Sequence, residues 1–318
     1  MHMNDIAPEW AADPDTLPDW LRQALAVPRE EGMVQAAGAE IHYFRWGDRS
    51  KPGLLMAHGF LSHARCFAFI APFLAQDYHI VAYDLSGMGD SGSRPSYPQD
   101  VRVAEMVEVA HHTGLMDADR KPVLIAHSYA CGIGLDTMYR HHDRFAGFII
   151  CDMMAMSPER LARHYSSGAG PPSRRDPNRP HRIYPDFPSA RERFVLSPPQ
   201  PVGEAILAEY MAYHSLRTVD GGYSWKFDPR VLADDRDRET YWRTLGERIV
   251  GIPGRSAIIH GRESRLFDGE SADWLRGIGA RIPITGIPHA HHHLMLDQPI
   301  AFAAALETVL AGWRHDRV

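Results

Sequence analysis

Residues 122–130 read Pro122-Val123-Leu124-Ile125-Ala126-His127-Ser128-Tyr129-Ala130. Pro122 to Ala126 is a short, continuous apolar run, as expected of a strand buried on both faces. From Tyr129 to about Tyr139 the pattern is helical, so a strand hands over to a helix across His127-Ser128. A serine at that handover projects from a tight turn, and the small residues Ala126 and Ala130, two before and two after, let the turn close. That is a nucleophile's position. A serine opening a helix is also an ordinary N-cap, so the rest of the chain has to decide between the two.

Outward from this point the same alternation recurs. Upstream lie two strands within 33–46 joined at Gly38-Ala39, a buried strand at Gly53–Ala57, a helix over about 64–74, a strand at 79–84 and a helix over about 101–113. Downstream come a strand at 145–151 and, after a break, a strand at 256–260, a helix near 271–276, a strand at 281–285 and a last helix at 299–313. Strands alternating with helices across short connections predict an α/β fold, its mostly parallel sheet covered by helices on both faces. Within the break, nine of the chain's 24 prolines crowd into 168–201, which excludes long regular elements there, whereas 202–216 reads as helix. The expected division is an N-terminal extension at 1–32, a core made of 33–152 and 247–318, and a largely helical cap inserted at 153–246. In the extension, Leu17, Trp20, Leu21 and Leu25 share one helical face suited to docking.

Two further segments carry chemistry. His58-Gly59-Phe60 follows the third strand, where Gly59 allows the backbone to turn and the Phe60 N–H can point, with the Tyr129 N–H, at a developing oxyanion. His289-Ala290-His291-His292-His293-Leu294-Met295-Leu296-Asp297-Gln298-Pro299 links the last strand to the last helix. Four histidines in five residues have the composition of a metal site. No Glu stands at metalloprotease spacing and no facing ligand set can be assigned, so no metal is expected. A general base for Ser128, with neighbours at the surface or in packing, is the better reading.

Taken together, on these elements and in this order, the segments resemble the α/β-hydrolase superfamily from about residue 33 to the C-terminus. His58-Gly59-Phe60 resembles its oxyanion motif, and Asp84-Leu85-Ser86-Gly87-Met88-Gly89-Asp90-Ser91 its Gly-rich loop after the fourth strand. Ala126 to Ala130 is similar to the nucleophile elbow, with Ala where Gly is commoner. His292 to Pro299 is similar to the catalytic-His segment, with His291 in the usual Gly position. The resemblance implies Ser128 as nucleophile, His292 as base, Phe60 and Tyr129 as oxyanion donors, and no cofactor.

For the acid, the chain departs from the family pattern. The loop after the seventh strand reads His260-Gly261-Arg262-Glu263-Ser264-Arg265, with Ser264 and Arg265 where an Asp would be looked for. Asp152 ends the sixth strand, the position used by some dehalogenase-like and cofactor-free oxygenase-like members. Glu263 lies in the usual loop but early. Asp152 is preferred, since Arg262 and Arg265 flank Glu263 and could engage its carboxylate.

Composition narrows the remaining classes. The chain has 318 residues, 44% hydrophobic and 23% charged, which excludes collagen-like, coiled-coil and disordered readings. Thirty-four Lys and Arg against 40 Asp and Glu leave a net charge of −6, so no nucleic-acid partner is expected. No run approaches the ~20 apolar residues of a membrane span, and the N-terminus lacks the pattern of a secretory signal. Cys66, Cys131 and Cys151 are scattered and odd in number, which points to a reducing, cytoplasmic setting. The expected activity is cofactor-free hydrolysis of an ester, lactone or related acyl bond in a small apolar or aromatic molecule. The same fold leaves open a cofactor-independent oxygenase, a carbon–carbon-bond hydrolase, or a ligand-binding protein without turnover. The sequence does not set the oligomeric state.

Overall fold

The computed structural model describes residues 17–116, 120–166, 180–233 and 238–315. Part of the 1–32 extension and of the Pro-rich 168–201 stretch therefore lies outside the described residues. The apolar runs become strands: β1 Glu30–Ala36, β2 Ala39–Trp46, β3 Gly53–Ala57, β4 His79–Tyr83, β5 Val123–His127, β6 Gly147–Cys151, β7 Leu216–Val219, β8 Gly222–Trp225, β9 Ser256–Gly261 and β10 Ile284–Ile287. Eight of them form one sheet in the order β1-β2-β4-β3-β5-β6-β9-β10. β1 pairs antiparallel with β2, and β2 with β4; every later neighbour is parallel.

Successive residues of a strand point to opposite faces, and both faces are dry. Leu54, Met56, Ile80, Ile125 and Ile149 share one buried cluster with Phe302, Leu306 and Leu310 of the helix Pro299–His315. Their neighbours Leu55, Val81, Leu124, Phe148 and Ile150 share the other with Val103 and Met106 of Gln99–His112 and Ile133 and Met138 of Tyr129–His141. Continuous apolar strands are thus read as central because helices cover both their faces. The extension docks as expected: the helix Asp19–Ala26 buries Leu21, Ala24 and Leu25 in the first cluster's neighbourhood, with Trp20 6.5 Å from the Phe73 ring.

Several local expectations shift. The helix over 64–74 is instead a 3-10 turn, Ala64–Phe67, and a short helix, Ala71–Leu74, with Pro72, which has no N–H to donate, in its first turn. The last strand starts at Ile284, not 281, because Pro283 cannot donate to the ladder; its carbonyl accepts from Ile258 N instead. The β1–β2 turn falls on Ala37-Gly38, both with left-handed φ (47° and 82°), as a two-residue hairpin turn requires. Between β6 and β9 the chain forms helices Pro158–Ser166, Phe187–Arg191, Ala205–His214 and Arg238–Val250, together with the β7–β8 hairpin, in a segment expected to be largely helical.

The parallel arrangement brings the carboxyl ends of β3, β5, β6, β9 and β10 to one edge. Residues 58–60, 128, 152, 261–264 and 288–293 all follow from those ends. In open parallel sheets, that edge is where ligands bind.

Candidate active site

Ser128 sits between β5 and the helix Tyr129–His141 with φ 53° and ψ −115°, a conformation that L-residues rarely adopt. Such strain costs about 1–3 kcal/mol and is held by its surroundings. Ser128 N donates to Cys151 O (3.0 Å), Cys131 N donates to Ser128 O (2.9 Å), and Ala126 and Ala130 are fully buried against the turn. The hydroxyl makes no cap to its own helix. It lies 2.8 Å from His292 Nε2.

His292 is buried in the loop after β10, and its Nδ1 is 2.8 Å from Asp152 Oδ1. Asp152 directly follows β6, at φ 48°, with its carboxylate fully buried. Two donors hold that carboxylate: Gly261 N to Oδ2 at 2.7 Å and Ser264 Oγ to Oδ1 at 2.6 Å. Burial raises the Asp152 pKa and lowers that of His292, because desolvation disfavours charge on each; the Ser264 and Gly261 donors oppose the rise. Of the two shifts the His292 direction is the more telling: a neutral imidazole, with its proton on Nδ1 facing the carboxylate, leaves Nε2 free to accept from Ser128.

Glu263 is elsewhere. Half exposed, it faces His289 (3.4 Å) and His291 (3.5 Å), not the flanking arginines and not His292. His291 turns its other nitrogen to Asp297 at 3.5 Å. His293 packs its ring 5.0 Å from that of His292, and its main-chain N–H donates to Gln200 Oε1. The sequence reading missed Ser264. The signal was present: a hydroxyl stood where the family's acid was sought, and it donates to Asp152 Oδ1.

The third component is the turn after β3. A Cβ on Gly59 would lie 2.9 Å from His127 Nδ1 and 3.3 Å from Ser128 Cβ, so only glycine lets this loop rest against the elbow. His58 braces it, with Nδ1 2.7 Å from Gly59 O and Nε2 accepting from Leu85 N at 3.0 Å. The Phe60 and Tyr129 ring centroids lie 5.3 Å apart.

The Gly-rich loop proves to be electrostatic scaffolding. Asp84 accepts from Ala64 N and Asp90 N and bonds His42 Nδ1 at 2.8 Å, while His42 Nε2 bonds Glu31 at 2.8 Å. Burial alone would lower His42, yet these carboxylates hold its pKa up to about 9. His42, Asp84 and Asp90 bring ligand atoms within 4.8 Å of one another. Both His42 ring nitrogens are engaged by carboxylates, and Lys226 Nζ lies 2.7 Å from Asp90.

Comparison with known proteins agrees with this architecture. A model of the alpha/beta hydrolase family matches residues 54–305. Epoxide hydrolase 4 of Mus musculus is 29% identical over 99 residues, 30% of this chain and 26% of that protein. A haloalkane dehalogenase of Sphingobium indicum is 27% identical over 132 residues, 41% of this chain and 44% of that one. The match thus spans about a quarter of the first relative and under half of the second. Among solved structures, a thioesterase domain from the curacin biosynthetic pathway superposes with a TM-score of 0.71 at 20% identity, covering 88% of this chain and 99% of that domain, which shows a shared fold. The sheet order, the strained serine turn and a family match across most of its length lead to one conclusion: this chain belongs to the alpha/beta hydrolase family.

Proposed function

We propose that the protein is a cofactor-free serine hydrolase that opens an ester, lactone or related acyl bond in a small apolar or aromatic molecule. The observation that carries this reading is the hydrogen-bonded chain Ser128–His292–Asp152, with both links at 2.8 Å. Ser128 Oγ attacks the carbonyl carbon while His292 Nε2 takes its proton, and the carbonyl electron pair moves onto oxygen. The N–H groups of Phe60 and Tyr129 would receive that oxyanion, a contribution of about 3 kcal/mol per donor in comparable sites. Collapse expels the leaving group, protonated by His292, and water activated by the same imidazole then releases the acid and restores Ser128. Asp152 keeps the imidazole in its productive tautomer and stabilises the imidazolium.

The names of the relatives suggest epoxides and haloalkanes, but the nucleophile argues against both. An alcohol that displaces at an alkyl carbon forms an ether, which water does not reopen. An acyl ester turns over.

Residues 153–246 act in this proposal as the cap. Three contacts support it: Asp228 N donates to Gly87 O at 2.7 Å, Tyr97 OH bonds Asp228 at 2.7 Å, and Gln200 Nε2 reaches Asp297 at 2.9 Å. The helix Arg238–Val250 spans the far boundary, and its Leu245 and Ile249 pack into the core cluster. Aromatic residues of this segment, among them Phe227, are suited to an apolar substrate; the Tyr165 side chain lies outside those described. Among the described residues no helix is long and apolar enough to cross a membrane. The three free, buried cysteines favour a cytoplasmic setting.

The test is direct. Ser128→Ala and His292→Ala should each remove nearly all hydrolysis of p-nitrophenyl butyrate while the circular dichroism spectrum is kept. Half the activity surviving in either folded variant rules out the assignment, and loss of wild-type turnover on removing oxygen would favour an oxygenase.

A further inference from the structure

One buried imidazole has no part in the mechanism above. His127 is the last residue of β5, immediately before Ser128, and is 3% exposed. Its Nε2 lies 2.9 Å from the main-chain carbonyl oxygen of His292. A carbonyl only accepts, so Nε2 carries the ring's proton. Nδ1 is then bare and faces the Gly59 turn, at 2.9 Å from where a Cβ would stand. The His127 ring also lies 4.8 Å from that of His292 and 5.7 Å from that of His293.

We infer that His127 is a positioning residue that sets the distance between Ser128 Oγ and the His292 imidazole by gripping the backbone of His292. The inference rests on the Ser128–His292 reading and adds a part to it. Nucleophile and base lie 164 residues apart on separate elements. No covalent geometry relates them, and packing of loop 288–293 would set their separation only loosely. A donor on the residue adjoining the nucleophile, bonded to the main chain of the base, ties the two to one short frame. The same ring touches the Gly59 turn, so three components of the site meet on one side chain. Burial lowers the His127 pKa to about 3, which keeps it neutral when His292 becomes an imidazolium 4.8 Å away. A second cation there would oppose proton transfer.

The test measures formation of the serine adduct directly. A fluorophosphonate reacts by a Ser128 Oγ–P bond forming as P–F breaks, with fluoride leaving and the serine proton passing to His292. His127→Met keeps the volume and removes the donor; phosphonylation and kcat should fall about 100-fold, with KM little changed, the scale of a misplacement near 1 Å. His127→Gln places an amide donor near the position of Nε2 and should recover to within about tenfold of wild type. A purely structural role would lower the melting temperature without this division between kcat and KM, and without rescue by Gln. Wild-type phosphonylation in His127→Met, or equal loss in the Met and Gln variants, overturns the inference. If His127→Met does not fold, Gln is compared with Asn, whose amide stops short of the carbonyl; equal rates overturn it. Ser128→Ala is the control: labelling that persists there defeats the reading of Ser128 itself, a result distinct from either outcome at His127.

Discussion

Asp152 occupies a position where a carboxylate is tolerated only with donors around it. It follows a fully buried strand, carries a left-handed φ, and has His292, Ser264 and the Gly261 amide within hydrogen-bond reach. Converting it to Asn keeps the shape but removes the charge that fixes the His292 tautomer. Turnover of Asp152→Asn should fall ~10³–10⁴-fold with the fold intact, as expected when the imidazole presents its proton to the serine. Glu263→Gln should lose tenfold or less, roughly one surface-type interaction, since its partners are the exposed His289 and the half-buried His291. Steady-state kinetics on one ester rank the two, and the opposite order assigns the role to Glu263. The placement of Asp152 at the end of β6 was legible in sequence. The partners of Glu263 were not, because the arginines expected to engage it leave it to two histidines brought in by the loop after β10.

At the scale of elements, period and punctuation carried most of the information. Wholly apolar runs became central strands, and the handover at His127-Ser128 became the elbow. Two of the misplaced boundaries were at prolines: Pro72 interrupts a helix and Pro283 delays a strand, each by lacking the N–H that the element needs. The β7–β8 hairpin was illegible because its four-residue strands are too short to show a period. Gly59 gives the element scale its own experiment. Gly59→Ala places a methyl against His127 and the Ser128 Cβ, so the turn must lift off the elbow. We expect kcat to drop about 10²–10³-fold, the scale of losing one oxyanion donor, while KM and the melting temperature change little. Wild-type kcat in Gly59→Ala would mean that the turn has no part in the reaction.

For the molecule as a whole, the His42 network ties the antiparallel edge to the parallel sheet. Its imidazole bridges Glu31 of β1 and Asp84 after β4, with Asp90 close by and Lys226 paired to Asp90 from the segment beyond β6. The folded pKa of His42, about 9, lies above the ordinary value of 6.5. Its contribution to stability is therefore complete below about 6.5 and is lost as pH rises through 9. The loss is on the order of 3 kcal/mol. Urea midpoints measured from pH 6 to pH 10 should fall for wild type, and the fall should be shallower in His42→Gln. Parallel curves would remove His42 from the account. No sequence pattern announces this pairing, which joins positions 42 residues apart through a fold that has to form first.

The span between Ser128 and His292 has a temporal side. On the proposed mechanism, the nucleophile Ser128 leaves the ribosome 164 residues before its base His292, and Asp152 precedes His292 by 140. A nascent chain thus carries the serine but has no imidazole to activate it, and is chemically silent until its last strand and loop have docked. Such distant pairings are also the slowest to form when a denatured chain refolds. On the proposed assignment, hydrolysis appears only after the loop that carries His292 has docked against Ser128.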